Sequence, residues 1–96
     1  MLCHFLVDGV DRYAIDIRQN GSYFTLHAMT YPPNRRGGGV TTHHLYESGE
    51  ICVNAGKEPR TFDKAKAIAM FWCDGWSKFQ RTGVFPNSAT RVNVRS

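Results

Sequence analysis

The residues best equipped for chemistry lie in one stretch, His43-His44-Leu45-Tyr46-Glu47-Ser48-Gly49-Glu50-Ile51-Cys52-Val53-Asn54. Two imidazoles precede a turn-forming Ser48-Gly49 pair, and a thiol follows it. A cysteine attacks as its thiolate, a form that cationic or hydrogen-bonding neighbours favour. In a hairpin centred on Ser48-Gly49, His43 or His44 comes to face Cys52. One imidazole would then polarise the thiol or donate to an oxyanion. Asn54 falls on the same side of an extended segment as Cys52, and side-chain amides are frequent oxyanion donors in acyl transfer. Against this stands a plainer reading: cysteine is among the most buried residue types, and paired histidines are common on surfaces. A metal set of His43, His44, Cys52 and Cys73 is a third reading, but the short paired ligand spacings of metal sites are missing. Cys3, Cys52 and Cys73 match no CxxC framework and read as reduced thiols, with Cys3 and Cys73 structural. No cofactor is implied.

The elements around this stretch must hold it in place. Residues 2–7 (LCHFLV) read as a strand, and Asp8-Gly9 as a tight turn. Residues 12–18 alternate, with Tyr13, Ile15 and Ile17 on one face. Asn20-Gly21 supplies a hairpin turn in which both central residues tolerate positive φ. A third strand follows over 22–31. Phe24, Leu26 and Ala28 share one face; Tyr23, Thr25, His27, Met29 and Tyr31 share the other. Pro32-Pro33 ends it, because proline has no N–H for a ladder. Residues 34–39 (NRRGGG) read as a flexible loop. A phosphate cradle is the functional alternative, but the segment fits no nucleotide motif and is not expected to open a helix. Residues 41–46 read as extended, with a return over 50–53.

The one convincing helix begins after Pro59. Thr61 is its N-cap, and Asp63 in the first turn suits the dipole. Ala65, Ile68, Trp72, Trp76 and Phe79 form a 3, 4, 4, 3 stripe, and Gly83 stops the helix after Arg81. Two tryptophans in such a stripe are core residues before they are a ligand platform, and Phe62 and Phe71 read likewise. Gly75 within the stripe signals a kink or a close approach. Residues 84–86 pack or turn, and 87–96 form a terminal strand or a loose tail. The chain thus reads as one domain over 1–96: an α+β fold in which an antiparallel meander of three to four strands packs against one main C-terminal helix.

The order of these parts resembles the central half of the ubiquitin-conjugating enzymes. There a Tyr-Pro element ends a strand, as Tyr31-Pro32-Pro33 does here. A histidine follows, and a Gly-x-Ile-Cys sequence carries the thioester cysteine, matched here by Gly49-Glu50-Ile51-Cys52. The minimal bacterial relatives of those enzymes are more similar still. They show His-x-Tyr, a glycine turn, the cysteine, and a tryptophan-bearing helix that ends in a Thr-Gly-aromatic segment. The corresponding residues are His44-Leu45-Tyr46, Cys52, Trp72, Trp76 and Arg81-Thr82-Gly83-Val84-Phe85-Pro86. The likeness covers roughly residues 23–86. It implies a protein that carries a ubiquitin-like modifier as a thioester on Cys52 and transfers it, with an activating enzyme and a carrier as partners. His44 would shape or activate the site, with Tyr46 and Asn54 in support. The departures are specific. Leu45-Tyr46 replaces the Pro-Asn of the eukaryotic His-Pro-Asn, which leaves Asn54 as a substitute oxyanion donor. No helix precedes the meander, and the family's C-terminal helices have no counterpart. An inactive partner-binding domain of the same fold is therefore the alternative.

Bulk properties narrow the rest. At 96 residues, 42% apolar and 21% charged, the chain has the composition of an ordinary soluble domain. It contains no run long enough to span a membrane. The N-terminus lacks the features of a secretory signal, so a cytoplasmic location is expected. A net charge of +4 without a basic block is thin for nucleic acid, which is not an expected partner. Such binding would use Tyr23, His27 and Tyr31 as a stacking face, with Arg35, Arg36, Arg91 and Arg95 on phosphates.

Overall fold

Two tight turns fold the first third of the chain onto itself. The computed structural model describes residues 1–86; the terminal segment 87–96, with Arg91 and Arg95, lies outside the described residues. Strands β1 (Leu2–Val7), β2 (Asp11–Asn20) and β3 (Tyr23–Thr30) form an antiparallel sheet in the order β1-β2-β3. Asp8 and Gly9 both take positive φ (54° and 73°), and Val10 N donates to Val7 O at 3.1 Å, a primed turn of the kind that Asp-Gly favours. The second turn sits one residue later than Asn20-Gly21 suggests. Asn20 pairs with Tyr23, so Gly21 and Ser22 are the loop, and Gly21 alone has positive φ (65°). That is the type II′ pattern, which needs glycine only at its first central position.

The β2–β3 register slips between Ala14 and Ile15: Ala14 pairs with Thr30 but Ile15 with Ala28, so Met29 is the extra residue. A bulge shifts side-chain alternation by one. Alternation from Tyr23 assigns Tyr31 to the outer face; the bulge turns it inward, where it meets Trp72 and Trp76 edge-on at 6.1 and 5.4 Å.

Helix α2 (Phe62–Thr82) covers the inner face of the sheet. Thr61 Oγ1 accepts from Lys64 N at 3.2 Å, and Gly83 (φ 82°) closes the helix by donating to Phe79 O at 2.7 Å. Ala65, Ala69, Trp72, Cys73 and Trp76 bury against Tyr13, Ile15, Ile17, Leu26 and Ala28. Within this layer Tyr13 Oη and Ser77 Oγ share a 2.6 Å hydrogen bond. Removing either partner would leave a buried hydroxyl unpaired, at a cost of about 1–3 kcal/mol. Burial pushes the Tyr13 phenol well above its ordinary pKa, and the Ser77 bond opposes that shift.

Gly75 permits a close approach, and the helix runs through it unbroken. A Cβ there would lie 2.5 Å from Cζ of Phe85, whose ring folds back across the helix. The other end of the fold is tied by guanidinium groups. Arg81 reaches Asp8 and Asp11 at 2.8 Å each, joining the helix end to the β1–β2 turn. Arg36 donates to the terminal carbonyls of Gln80 and Arg81 at 3.0 and 2.7 Å, groups that a helix leaves unpaired. The rest of the 34–39 loop is bound too: Asn34 Oδ1 accepts from Gly37 N and Gln80 Nε2, and Arg35 N donates to Gln80 Oε1. This loop therefore docks on the carbonyl end of α2. That is the wrong polarity for a phosphate cradle.

The loop does open a helix, contrary to expectation, though a single turn: α1 (Val40–His43) replaces the extended start predicted for 41–46. Val40, Thr41 and Thr42 are β-branched and prefer strands. Burial of His43 overrides that preference. Its imidazole packs on Trp76 and Phe79 at 5.2 and 5.9 Å. Among the described residues, no helix is long and apolar enough to cross a membrane.

Candidate functional site

His44 ends α1 in the left-handed conformation (φ 62°, ψ 30°) and turns the chain into a narrow hairpin. Leu45 bridges Ile51, Tyr46 N donates to Glu50 O at 2.9 Å, and Cys52 N donates to His44 O at 2.8 Å. Gly49 (φ 95°) makes the turn. The returning arm lies on the edge of β3: Ala28 N donates to Gly49 O and Ile51 N to Leu26 O, both at 2.8 Å. Leu45 and Ile51 are buried beneath the hairpin and anchor it, and their neighbours Tyr46 and Cys52 reach solvent. Alternation about a fixed pair of apolar residues thus presents the thiol.

His44 and Cys52 stand opposite each other along the backbone, as the turn predicts, but their side chains diverge. The left-handed φ at His44 swings its ring out of the ladder and onto Phe85, with centroids 4.9 Å apart. The partner of the thiol is Tyr46, its diagonal neighbour across the hairpin. The Tyr46 phenol is held above its ordinary pKa, chiefly by its interaction with Cys52. A phenol O–H beside a thiol is a donor for negative charge that develops there. Asn54 is exposed, and its carbonyl accepts from Lys57 N in the next turn. No hydrogen bond brings it to Cys52.

The two histidines have separate roles. His43 is buried with both ring nitrogens engaged: Nδ1 accepts from Leu45 N at 3.3 Å and Nε2 donates to Gly38 O at 2.9 Å. Those two bonds fix the orientation of the ring and make His43 a structural residue. His44 is half-buried, and its pKa is lowered, first by burial and then by the neighbouring His43. The pH consequence has a definite sign. An imidazole held below its unfolded value refuses a proton that the unfolded chain accepts, so stability falls as pH drops. Against His44→Asn, which tolerates the left-handed conformation, wild-type stability should be level above about pH 6.5 and decline below it, through the lower folded value. Urea unfolding across that range measures this. A difference that stays constant with pH would mean that His44 is not desolvated.

A groove of about 580 Å³ runs beside the hairpin, lined by Tyr23, Thr25 and His27 of β3 and by Tyr46, Glu50 and Glu58. His27 Nε2 and Thr25 Oγ1 are 2.9 Å apart, and His27 bridges Glu50. Strand alternation already puts Tyr23, Thr25 and His27 on one face. Their meeting with Tyr46 and Glu50 depends on where the hairpin docks, which local sequence does not encode. Phe85 as a wall for His44 was signalled only by Gly75. With Tyr31 turned inward, the aromatic trio needed for stacking bases is reduced to Tyr23 and His27, and Arg36 is held by α2. Cys73 sits in the core, its thiol pushed up by burial and by Asp74. Among the described residues, no three His, Cys, Asp or Glu side chains are grouped to hold a metal ion.

Compared with protein-family models, curated proteins and solved structures, the chain gives no match.

Proposed function

We propose that the chain is a ubiquitin-conjugating-like protein that carries a modifier on Cys52 as a thioester and hands it to an amine. The observation that carries this reading is the setting of Cys52. It is partly exposed, it interacts with the Tyr46 phenol and raises that group's pKa, and its arm of the hairpin is pinned by buried Leu45 and Ile51. Cys3 and Cys73 have no such setting: one lies on an edge strand and the other in the core.

In loading, the Cys52 sulfur attacks the carbonyl of the modifier's thioester with its activating enzyme. A new C–S bond forms, the old one breaks, and the departing thiol takes the proton. In discharge an amine attacks the same carbonyl, an amide forms, and Cys52 recovers its thiol. Neither step needs a metal or an organic cofactor. Tyr46 donates to the sulfur or to the developing oxyanion. His44 shapes the site through the hairpin backbone, where its carbonyl accepts from Cys52 N, and Asn54 is the nearest amide side chain in sequence.

A glycine-ended peptide thioester tests this without the natural partners. Native protein should acquire a hydroxylamine-sensitive acyl group at Cys52, read by peptide mass spectrometry. Cys52→Ser should lose it. Tyr46→Phe should slow its formation roughly fivefold, the worth of one hydrogen bond of about 1 kcal/mol. Acylation no faster at Cys52 than at Cys3 would refute transfer. That outcome would favour an inactive partner-binding domain, a reading supported by the turn of the His44 ring onto Phe85 and away from the thiol.

A further inference from the structure

Among the described residues, β1 has a free edge. Met1 and Ile17 exchange both backbone hydrogen bonds, at 2.6 and 2.8 Å. In an antiparallel ladder this alternates, so the backbones of Met1, Cys3, Phe5 and Val7 point at β2. Those of Leu2, His4 and Leu6 point away from it. Sheet order makes β1 an edge, with no strand beyond it among the described residues. Natural edges are usually blunted by proline, lysine or an inward-pointing charge. LCHFLV has none of these.

The outer side chains of the same residues are symmetric about His4. Leu2 and Leu6 flank it, 50% and 58% exposed. We propose that two copies of the chain join antiparallel through β1, with His4 opposite His4 of the second copy at the two-fold axis. Leu2 then lies opposite Leu6 of the mate, and each of these residues exchanges both backbone hydrogen bonds. The two sheets become one continuous sheet, with both α2 helices on the same side. A one-residue shift of register would lose the leucine pairs. Shifting by two would place Leu2 against His4. The symmetric alignment is therefore the one that matches apolar to apolar.

Sedimentation equilibrium on the full chain should show the 10.9 kDa monomer doubling in mass between low micromolar and submillimolar concentration. The backbone amides of Leu2, His4 and Leu6 should gain hydrogen-exchange protection over the same range. Leu6→Lys, which sets a charge opposite Leu2 of the mate, should weaken the dimer at least tenfold, about 1.4 kcal/mol. His4→Pro, which deletes the central N–H, should abolish it. Met29→Lys, exposed on β3 and away from this edge, should leave it unchanged. Three results would overturn the proposal. The first is a monomer at every concentration. The second is loss of the dimer in Met29→Lys, which would move the contact to the sheet face. The third is protection of those three amides that does not depend on concentration, which would mean that the chain covers its own edge.

Discussion

Trp72→Ala should remove about 3–5 kcal/mol of stability, the usual range for emptying a core tryptophan site. Trp72 is the residue on which the two halves of the molecule meet. Its ring lies 6.0 Å from Tyr13, 6.1 Å from Tyr31 and 5.0 Å from Trp76, so it touches β2, the end of β3 and its own helix. Its indole N–H donates to His43 O at 3.0 Å and holds α1 to the core. Alanine would leave both a cavity and a buried carbonyl without its donor. Small domains hold only about 5–15 kcal/mol in total, so the urea midpoint should fall by roughly 2 M or more. Trp72→Phe separates the two causes. It keeps most of the aromatic volume and loses the donor, and should cost about 1–3 kcal/mol. Equal losses in the two variants would put the whole cost in the hydrogen bond. A loss below about 1 kcal/mol for alanine would mean that the helix does not rest on this ring.

The second large effect is the contrast between Cys73 and Cys52. A thiol reagent should modify Cys52 in the folded protein, because the hairpin presents it to solvent. Cys73 is fully enclosed between α2 and the sheet. It should react only through openings that lift the helix. For a fold of about 5 kcal/mol such openings suppress the rate by on the order of 10³–10⁴-fold. Burial and Asp74 also raise the thiol's pKa, which keeps it protonated in the closed state. Time-resolved alkylation, read at each cysteine by mass spectrometry, gives both rates in one experiment. If Cys73 kept pace with Cys52, α2 would open locally without global unfolding. If Cys52 lagged with Cys73, it would be a core cysteine, and the thioester proposal would fall with it.

The scaffold was legible in the sequence because its signals are local. Asp8-Gly9 carries its turn, Thr61 and Gly83 bound the helix, and the Ala65-to-Phe79 stripe names the buried face. Those cues depend on neighbours within one turn of chain. The departures all come from contacts distant in sequence. Thr41-Thr42 reads as the start of an extended segment until His43 finds Trp76 and Phe79. Tyr31 reads as outward until a bulge at Met29 shifts the alternation. Ser77 looks like an ordinary helix-surface residue until Tyr13 is placed opposite it. At the site, the turn and the facing of His44 and Cys52 were legible from Ser48-Gly49. The rotation of His44 away from the thiol was not, because it depends on Phe85, some forty residues later.

Gly75 gives that distant contact a consequence for protein engineering. Replacing an interior helix glycine by alanine is a standard stabilising change, worth about 1 kcal/mol in intrinsic preference. Here the added methyl group would occupy the place of the Phe85 ring. The ring it evicts is the one that shields His44 from water. A substitution that improves the helix would therefore loosen the surroundings of the hairpin. Variants selected for thermal resistance at this position should arrive with an altered site.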